Sequence, residues 1–219
     1  ARRDLRQLEA LTHVPTRTIK KRQLTSEQDR MMRQAVERLK SLPIAIDDAR
    51  GVSVETILAR ARSQGATLRR KFGVEVGLVV VDYVQLIAPG EKARSESENE
   101  RITRSMDVLR MLAGRAQLDC AVLALSQLSR AVANQGDDFM PKLHHLRGSG
   151  SLEQEADVVV MAERPSLCGK EIYRQYPDID ELWISIPKNR HGPVSVEPTV
   201  VGLNVDYGVL YDAERVSLN

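Results

Sequence analysis

Gly77-Leu78-Val79-Val80-Val81-Asp82-Tyr83-Val84-Gln85-Leu86 is the stretch that decides the fold. Four consecutive apolar residues, Leu78 to Val81, run without alternation, and three of them are β-branched. Such a run predicts a strand covered on both faces, as in a parallel sheet flanked by helices. It delivers an acid, Asp82, at its C-terminal end, the edge where open α/β sheets bind ligands. A carboxylate there is placed to hold a Mg²⁺ against nucleotide phosphates, directly or through water. Read alone, the same Asp82 equally well caps a turn.

Upstream of this strand, residues 2–12 and a turn opened by Pro15 predict two short helices. Thr25 and Gln28 form a capping-box pair that starts a longer helix to about Lys40, with Met32, Ala35, Val36 and Leu39 on one face. Pro43-Ile44-Ala45-Ile46 reads as a buried strand, and Ser53 caps a helix to about Phe72. Downstream, residues 88–97 have loop composition, and a helix covers about Glu98 to Gln117 with Ile102, Met106, Leu109 and Leu112 inward. A second two-sided strand runs from Cys120 to Leu125 and ends in Ser126-Gln127. Residues 130–151 hold no convincing element, and Gly136, Gly148 and Gly150 suit a mobile loop. Ala156 to Met161 is a third buried strand, and residues 163–180 are irregular. Leu182–Pro187 and Val194–Val201 flank Lys188-Asn189-Arg190-His191-Gly192-Pro193 as a β-hairpin with a charged tip. Val205 to Tyr211 adds a last edge strand. The order, helical start, then βαβαβ, then meandering β, predicts one doubly wound α/β domain over 1–219, with 1–41 as a helical lead-in.

The chain has 219 residues, of which 42% are hydrophobic and 28% charged, a composition that fits a globular α/β domain. Aromatics make up only 4%, so a nucleic-acid site would not rest mainly on stacked rings. No apolar run approaches the roughly 20 residues that span a bilayer, so no membrane role is expected. The two cysteines, Cys120 and Cys168, read as reduced thiols of a cytoplasmic protein. The four histidines fall in no metal-ligand spacing. The net charge of +2 hides an asymmetry: residues 1–72 carry 17 basic and 8 acidic side chains, and the remainder is net negative. That split fits a nucleic acid or an acidic partner, and solvated helix faces would give it too.

Four segments then occur in a telling order: GLVVVDYVQL at 77–86, ALSQLSR at 124–130, LRGSGSLEQEADVVV at 146–160 and PKNRHGP at 187–193. Together they resemble the C-terminal RecA-like motor domain of DnaB-type replicative DNA helicases, bacterial or phage, and QLTSEQ and IAIDD extend the resemblance upstream. It implies an ATP-driven, ring-shaped hexamer that moves 5′→3′ on single-stranded DNA and meets a primase and a loader inside a bacterial cell or phage-infected host. Asp82 matches the Walker B acid that holds Mg²⁺ beside the β- and γ-phosphates of ATP. Gln127 matches the residue that senses the γ-phosphate; a neutral amide can bond to phosphate or water without adding charge. Lys188 and Arg190 match a basic pair that reaches into the neighbouring subunit's nucleotide, where cationic groups stabilise developing phosphoryl charge. Arg147, Gly148, Ser149 and Gly150 match the second DNA-binding loop of the central channel, and Lys92 and Arg94 fall in the first. Contacts of this kind to phosphates are blind to base sequence, as translocation requires.

Two departures qualify what the resemblance implies. The family usually carries an acidic residue after the loop arginine, where this chain has Gly148. A P-loop of the form GxxxxGK[ST] does not occur; Gly169-Lys170 is followed by Glu171 and lacks the upstream glycine. The 219 residues are therefore expected to hold Walker B, sensor, DNA-loop and trans-acting elements of a motor without its phosphate cradle, and to be inactive alone. Two alternatives stay open: a non-hydrolysing relative that binds single-stranded DNA or a helicase and regulates it, and another RecA-like recombination ATPase.

Overall fold

A computed structural model describes residues 8–21, 23–90, 95–129, 141–146, 149–167, 180–195, 197–205 and 207–212. After a helical stretch at 8–12, Pro15 leads into α1 (Thr16–Lys21) and Thr25 caps α2 (Ser26–Ser41). Both halves of the capping box form: Thr25 Oγ1 accepts the Gln28 N–H at 3.2 Å, and Gln28 Oε1 accepts the Thr25 N–H at 3.0 Å. This lead-in buries its own Val14, Met32 and Ala35. The His13 ring meets that of Tyr207 at 5.1 Å, which ties the lead-in to the far end of the chain.

α3 (Val54–Phe72) starts at its Ser53 cap and stops at Gly73, whose φ of 68° is the left-handed conformation that favours glycine at a helix end. It is followed by β1 (Leu78–Val81), α4 (Glu98–Ala113) and β2 (Ala121–Ala124), a β–α–β unit whose strands pair in parallel, Val81 opposite Ala124. α4 opens on a second capping box, Ser97 with Glu100. It ends at Ala113, four residues before the expected Gln117, because Gly114 cannot sustain the helix cheaply. Ile102, Met106, Leu109 and Leu112 all face inward as the spacing predicts. With Val54, Val81 and Leu152 they belong to the main apolar core.

Three expectations need correction. Residues 43–46 form no strand, and Ile44 and Ile46 are 55% and 47% exposed. Pro43 has no N–H to give a ladder, and Asp47 turns the chain instead, its Oδ1 accepting the Ala49 N–H at 3.0 Å and its carboxylate taking Arg60 Nη1 at 2.9 and 3.0 Å. Second, the strands are not covered on both faces: Val81 is buried, whereas Leu78, Val80 and Leu123 are about half exposed. One face packs on the core; among the described residues no layer closes the other. Third, residues 149–151, the end of the expected loop, begin a helix, α5 (Ser149–Glu155).

β3 (Val158–Glu163), β4 (Glu181–Asn189), β5 (Thr199–Asn204) and β6 (Val209–Tyr211) make a four-stranded antiparallel sheet in that order. Among the described strands, parallel pairing is thus confined to β1 and β2, with one further parallel bridge between Ser53 and Ala88, and the chain is an α/β fold with an antiparallel extension. β3 alternates strictly between exposed and buried residues. The hairpin expected around residues 188–193 is present, but Lys188 and Asn189 still belong to β4, paired with Val159 and Val158. The turn itself begins at Arg190. Between Val159 and Met161 the partner jumps from Lys188 to Ser185, so Ile186 and Pro187 face a single β3 residue. This bulge sits where proline can be tolerated in a strand. Ile186 turns its backbone to Ser195 instead, donating to Ser195 Oγ at 2.6 Å and accepting the Ser195 N–H at 3.0 Å.

Cys120 is buried at the start of β2, and that burial pushes its thiol pKa up, which suits an inert packed side chain. Cys168 lies outside the described residues. Among those residues no helix is long and apolar enough to cross a membrane.

Candidate nucleotide-handling site

The parallel pairing of β1 and β2 brings their C-terminal ends side by side. The Leu125 N–H donates to the Val81 carbonyl at 2.9 Å, and the Val84 N–H donates back to the Leu125 carbonyl at 2.9 Å. Asp82 leaves β1 at this edge, exposed, through a cis Asp82–Tyr83 peptide. Gln127, also exposed, leaves β2 beside it. The link between them is Gln85, in the 3₁₀ turn Val84–Leu86. Its Nε2 donates to Ser126 Oγ at 2.8 Å, and its Oε1 accepts the Gln127 N–H at 3.3 Å. One amide therefore spans both strand ends. Sequence reasoning singled out Asp82 and Gln127 but passed over Gln85; the available signal was a polar residue three positions past the acid, in an otherwise apolar run.

The approach to the second proposed loop is braced from β2. Leu128 bridges Leu146, and the Ser129 N–H donates to the His145 carbonyl at 2.8 Å. His145 is buried, and its Nδ1 accepts the Lys142 N–H at 2.9 Å. Burial, helped by the nearby His144 and Lys142, holds its pKa below the usual histidine value and keeps it neutral, as an accepting nitrogen requires. Arg147 and Gly148 lie outside the described residues. Ser149 and Gly150 begin α5, with Gly150 exposed and open space around its Cα.

The root of the first proposed loop is fixed as well. The Ala88 N–H donates to the Val52 carbonyl at 2.9 Å. At the other root Arg104 on α4 holds Glu96 through Nε at 2.8 Å and Nη2 at 3.1 Å, and its Nη1 also meets Glu55. Glu96 above all, through its hydrogen bond, holds the Arg104 pKa above its usual value. Lys92 and Arg94 themselves lie outside the described residues.

Lys188 and Arg190 converge on the C-terminal end of α5. Lys188 Nζ donates to the Glu153 carbonyl and, at 3.3 Å, to that of Gln154. Arg190 Nη2 donates to the Gln154 carbonyl at 3.0 Å, and Nη1 meets Asp157 Oδ1 at 2.6 Å. Two cations at carbonyls left over by the last helical turn are a favourable pairing with the negative end of the helix. The pair belongs to the antiparallel sheet, whereas Asp82 and Gln127 belong to the parallel one. The structure thus brings the candidate residues together as two pairs on two sheets.

Residues 3–201 match the family of DnaB-like helicase C-terminal domains. The replicative DNA helicase DnaB of Geobacillus stearothermophilus is 33% identical over 192 residues, which cover 87% of this chain and 39% of that protein. The replicative DNA helicase DnaB of Mycobacterium leprae is 33% identical over 189 residues, covering 86% of this chain and 29% of the other. Among solved structures, one described as an ATPase domain superimposes with a TM-score of 0.79 at 31% identity, over 95% of this chain and 69% of its own. A DnaB-like replicative helicase, described with its interactions with primase, gives 0.76 at 28% identity, over 94% and 46%. The chain spans less than half the length of these curated relatives. The α/β framework with its RecA-like arrangement is that of these neighbours, and the chain belongs to the DnaB-like helicase C-terminal domain family.

Proposed function

We propose that this chain is motor machinery of a ring-shaped replicative helicase that spends ATP to move 5′→3′ along single-stranded DNA. The observation that carries the reading is the edge at which Asp82 and Gln127 emerge side by side, tied by Gln85. Among the described residues no three His, Cys, Asp or Glu side chains gather to hold a metal. A lone strand-end carboxylate fits Mg²⁺ that draws its remaining ligands from phosphates and water, which is how Mg²⁺ usually sits with a nucleotide. Bound there, the ion would supply charge neutralisation to the β- and γ-phosphates. Asp82 holds that charge in place, and Gln127 offers an uncharged amide to the γ-phosphate or to water.

Lys188 and Arg190 act on the nucleotide of a neighbouring subunit, which makes a homo-oligomer, a hexameric ring, the working form. Their support is a matching position in the family series and a location at a hairpin turn, apart from the Asp82 edge. Arg147 to Gly150, with Lys92 and Arg94, line the channel and take DNA phosphates without reading bases. Primase is a partner by likeness to the DnaB-like helicase described with it; a loader is a further one. The site of action is the replicating chromosome inside a bacterial or phage-infected cell.

The test is ATP hydrolysis, with and without single-stranded DNA, comparing the chain with Asp82→Ala. The motor reading expects the 219 residues alone to show no turnover above that variant, and the whole gene product to show turnover that Asp82→Ala abolishes. Hydrolysis by the whole gene product that survives Asp82→Ala would refute the assignment of the edge.

A further inference from the structure

Arg190 is the first residue past the end of β4, where the β3–β4 ladder has already closed with Val158 opposite Asn189. It does not hang free there. Its backbone N–H donates to the Asp157 carbonyl at 2.8 Å, and its guanidinium meets the Asp157 carboxylate at 2.6 Å. Asp157 therefore holds the same residue by main chain and by side chain. The second nitrogen of the guanidinium is fixed on the Gln154 carbonyl at 3.0 Å. A guanidinium has five N–H donors in a rigid fork. Among the described residues two of them are engaged, on Asp157 and on the Gln154 carbonyl, which orients the plane toward an incoming anion.

Resting on the reading that Arg190 serves a neighbour's nucleotide, we propose that Asp157 is a positioning residue for that reaction. An arginine side chain has several rotatable bonds, and freezing them when the transition state forms costs rate. The Asp157 carboxylate settles that orientation in advance, and its carbonyl stops the turn from swinging. The anchor is separate from the chemistry: Asp157 touches Arg190, not the nucleotide. Because Asp157 acts on the nucleotide only through Arg190, nucleotide binding is left alone by its loss. The neutralising effect of the carboxylate is modest because the pair is open to solvent, with side chains 47% and 62% exposed. Orientation is its contribution.

The experiment measures single-strand-stimulated ATP hydrolysis by the whole gene product, assembled with its own copies, for wild type, Arg190→Ala, Asp157→Ala, Asp157→Glu and the double variant Asp157→Ala/Arg190→Ala. Asp157→Ala is expected to lower kcat about tenfold with KM for ATP changed less than twofold, which is the pattern for a group that matters only in the transition state. Asp157→Glu, which can still reach the guanidinium, is expected to recover at least half of the lost rate. The double variant should be no slower than Arg190→Ala alone, because Asp157 acts only through that arginine. If Arg190→Ala turns over like wild type, both the neighbour-directed role and this inference fall. If Arg190→Ala is inactive while Asp157→Ala keeps full rate, only this inference falls. A rise in KM in place of the loss in kcat, or no recovery with Glu, also overturns it. Should Asp157→Ala melt well below wild type, Asp157→Leu, which keeps the size without an acceptor for the guanidinium, is held to the same kcat criterion.

Discussion

Replacing Gln85 with methionine keeps the length of the side chain and removes its bonds to Ser126 Oγ and the Gln127 N–H. The 2.8 Å bond from Nε2 to Ser126 Oγ is part-buried, so its loss carries the usual net value of a neutral hydrogen bond, about 1 kcal/mol. The 3.3 Å bond from the Gln127 N–H is longer and open to water, which replaces the lost acceptor; about 0.5 kcal/mol is appropriate. The sum, about 1.5 kcal/mol, lowers the melting temperature of a chain this size by about 3–6 °C. Urea denaturation at pH 7 followed by far-ultraviolet circular dichroism, with the fluorescence of the single tryptophan, Trp183, as a second probe, measures it. Gln85→Glu separates stability from function. A carboxylate accepts from both the Ser126 hydroxyl and the Gln127 N–H, so this variant should unfold close to wild type. It also sets a second negative charge near Asp82, where phosphates are proposed to sit, and should weaken nucleotide binding in the whole gene product. A methionine variant within about 0.3 kcal/mol of wild type, or a glutamate variant as unstable as methionine, would refute the bridging role.

Three further outcomes follow from other parts of the molecule. Asp180 takes Arg164 Nε at 2.7 Å, Arg164 Nη2, and Ser166 Oγ at 2.9 Å, and Arg164 first among them holds its carboxyl below the ordinary 3.8. A depressed carboxylate stabilises the fold above its unfolded pKa and loses that contribution as pH falls through the folded one. Asp180→Asn should therefore melt below wild type above about pH 5, with a gap that closes below about pH 4; a gap independent of pH in thermal melts would contradict the pairing. Leu112 is fully buried in the main core, so Leu112→Ala should cost about 2–5 kcal/mol in urea titrations, and under about 1 kcal/mol would mean the site is not packed as described. Arg147→Ala should weaken single-strand binding equally for all base sequences and reduce the salt slope by about one, read by fluorescence anisotropy at several salt concentrations. A loss confined to some sequences would argue against a phosphate contact.

Much of the framework could be read from local chemistry. Thr25 with Gln28 and the inward row Ile102, Met106, Leu109, Leu112 depend on spacing alone, and they came out as read. The edge carrying Asp82 and Gln127 was also legible, because a strand end followed by an acid or an amide is a local pattern. Ile44 and Ile46 misled because an apolar tetrapeptide carries no information about whether a partner strand lies beside it. Leu78 and Val80 misled for a related reason: β-branched content reports strand preference, while cover on the second face depends on what else packs there. Asp157 was not readable at all, and Gln85 showed only as a polar residue in an apolar run, with nothing to say what it holds. Their roles depend on residues 33 and 42 positions away, which meet only once the sheets form.

The Asp157–Arg190 contact has a counterpart at the opposite end of the same strand pair. Arg164 follows β3 and Asp180 precedes β4, so the β3–β4 ladder is closed at each end by one aspartate and one arginine, with the order exchanged. Between those ends lies the bulge at Ile186–Pro187. Moving a bulge by one residue along a strand would turn the intervening side chain to the other face. Here a shift toward the turn would carry Lys188 off the carbonyls of α5. The two end closures fix how many residues of β4 must fit between them, and Pro187, with no N–H for the ladder, fixes where the surplus one goes. The sheet thus keeps count: the number of residues from its far corner to Arg190 cannot drift.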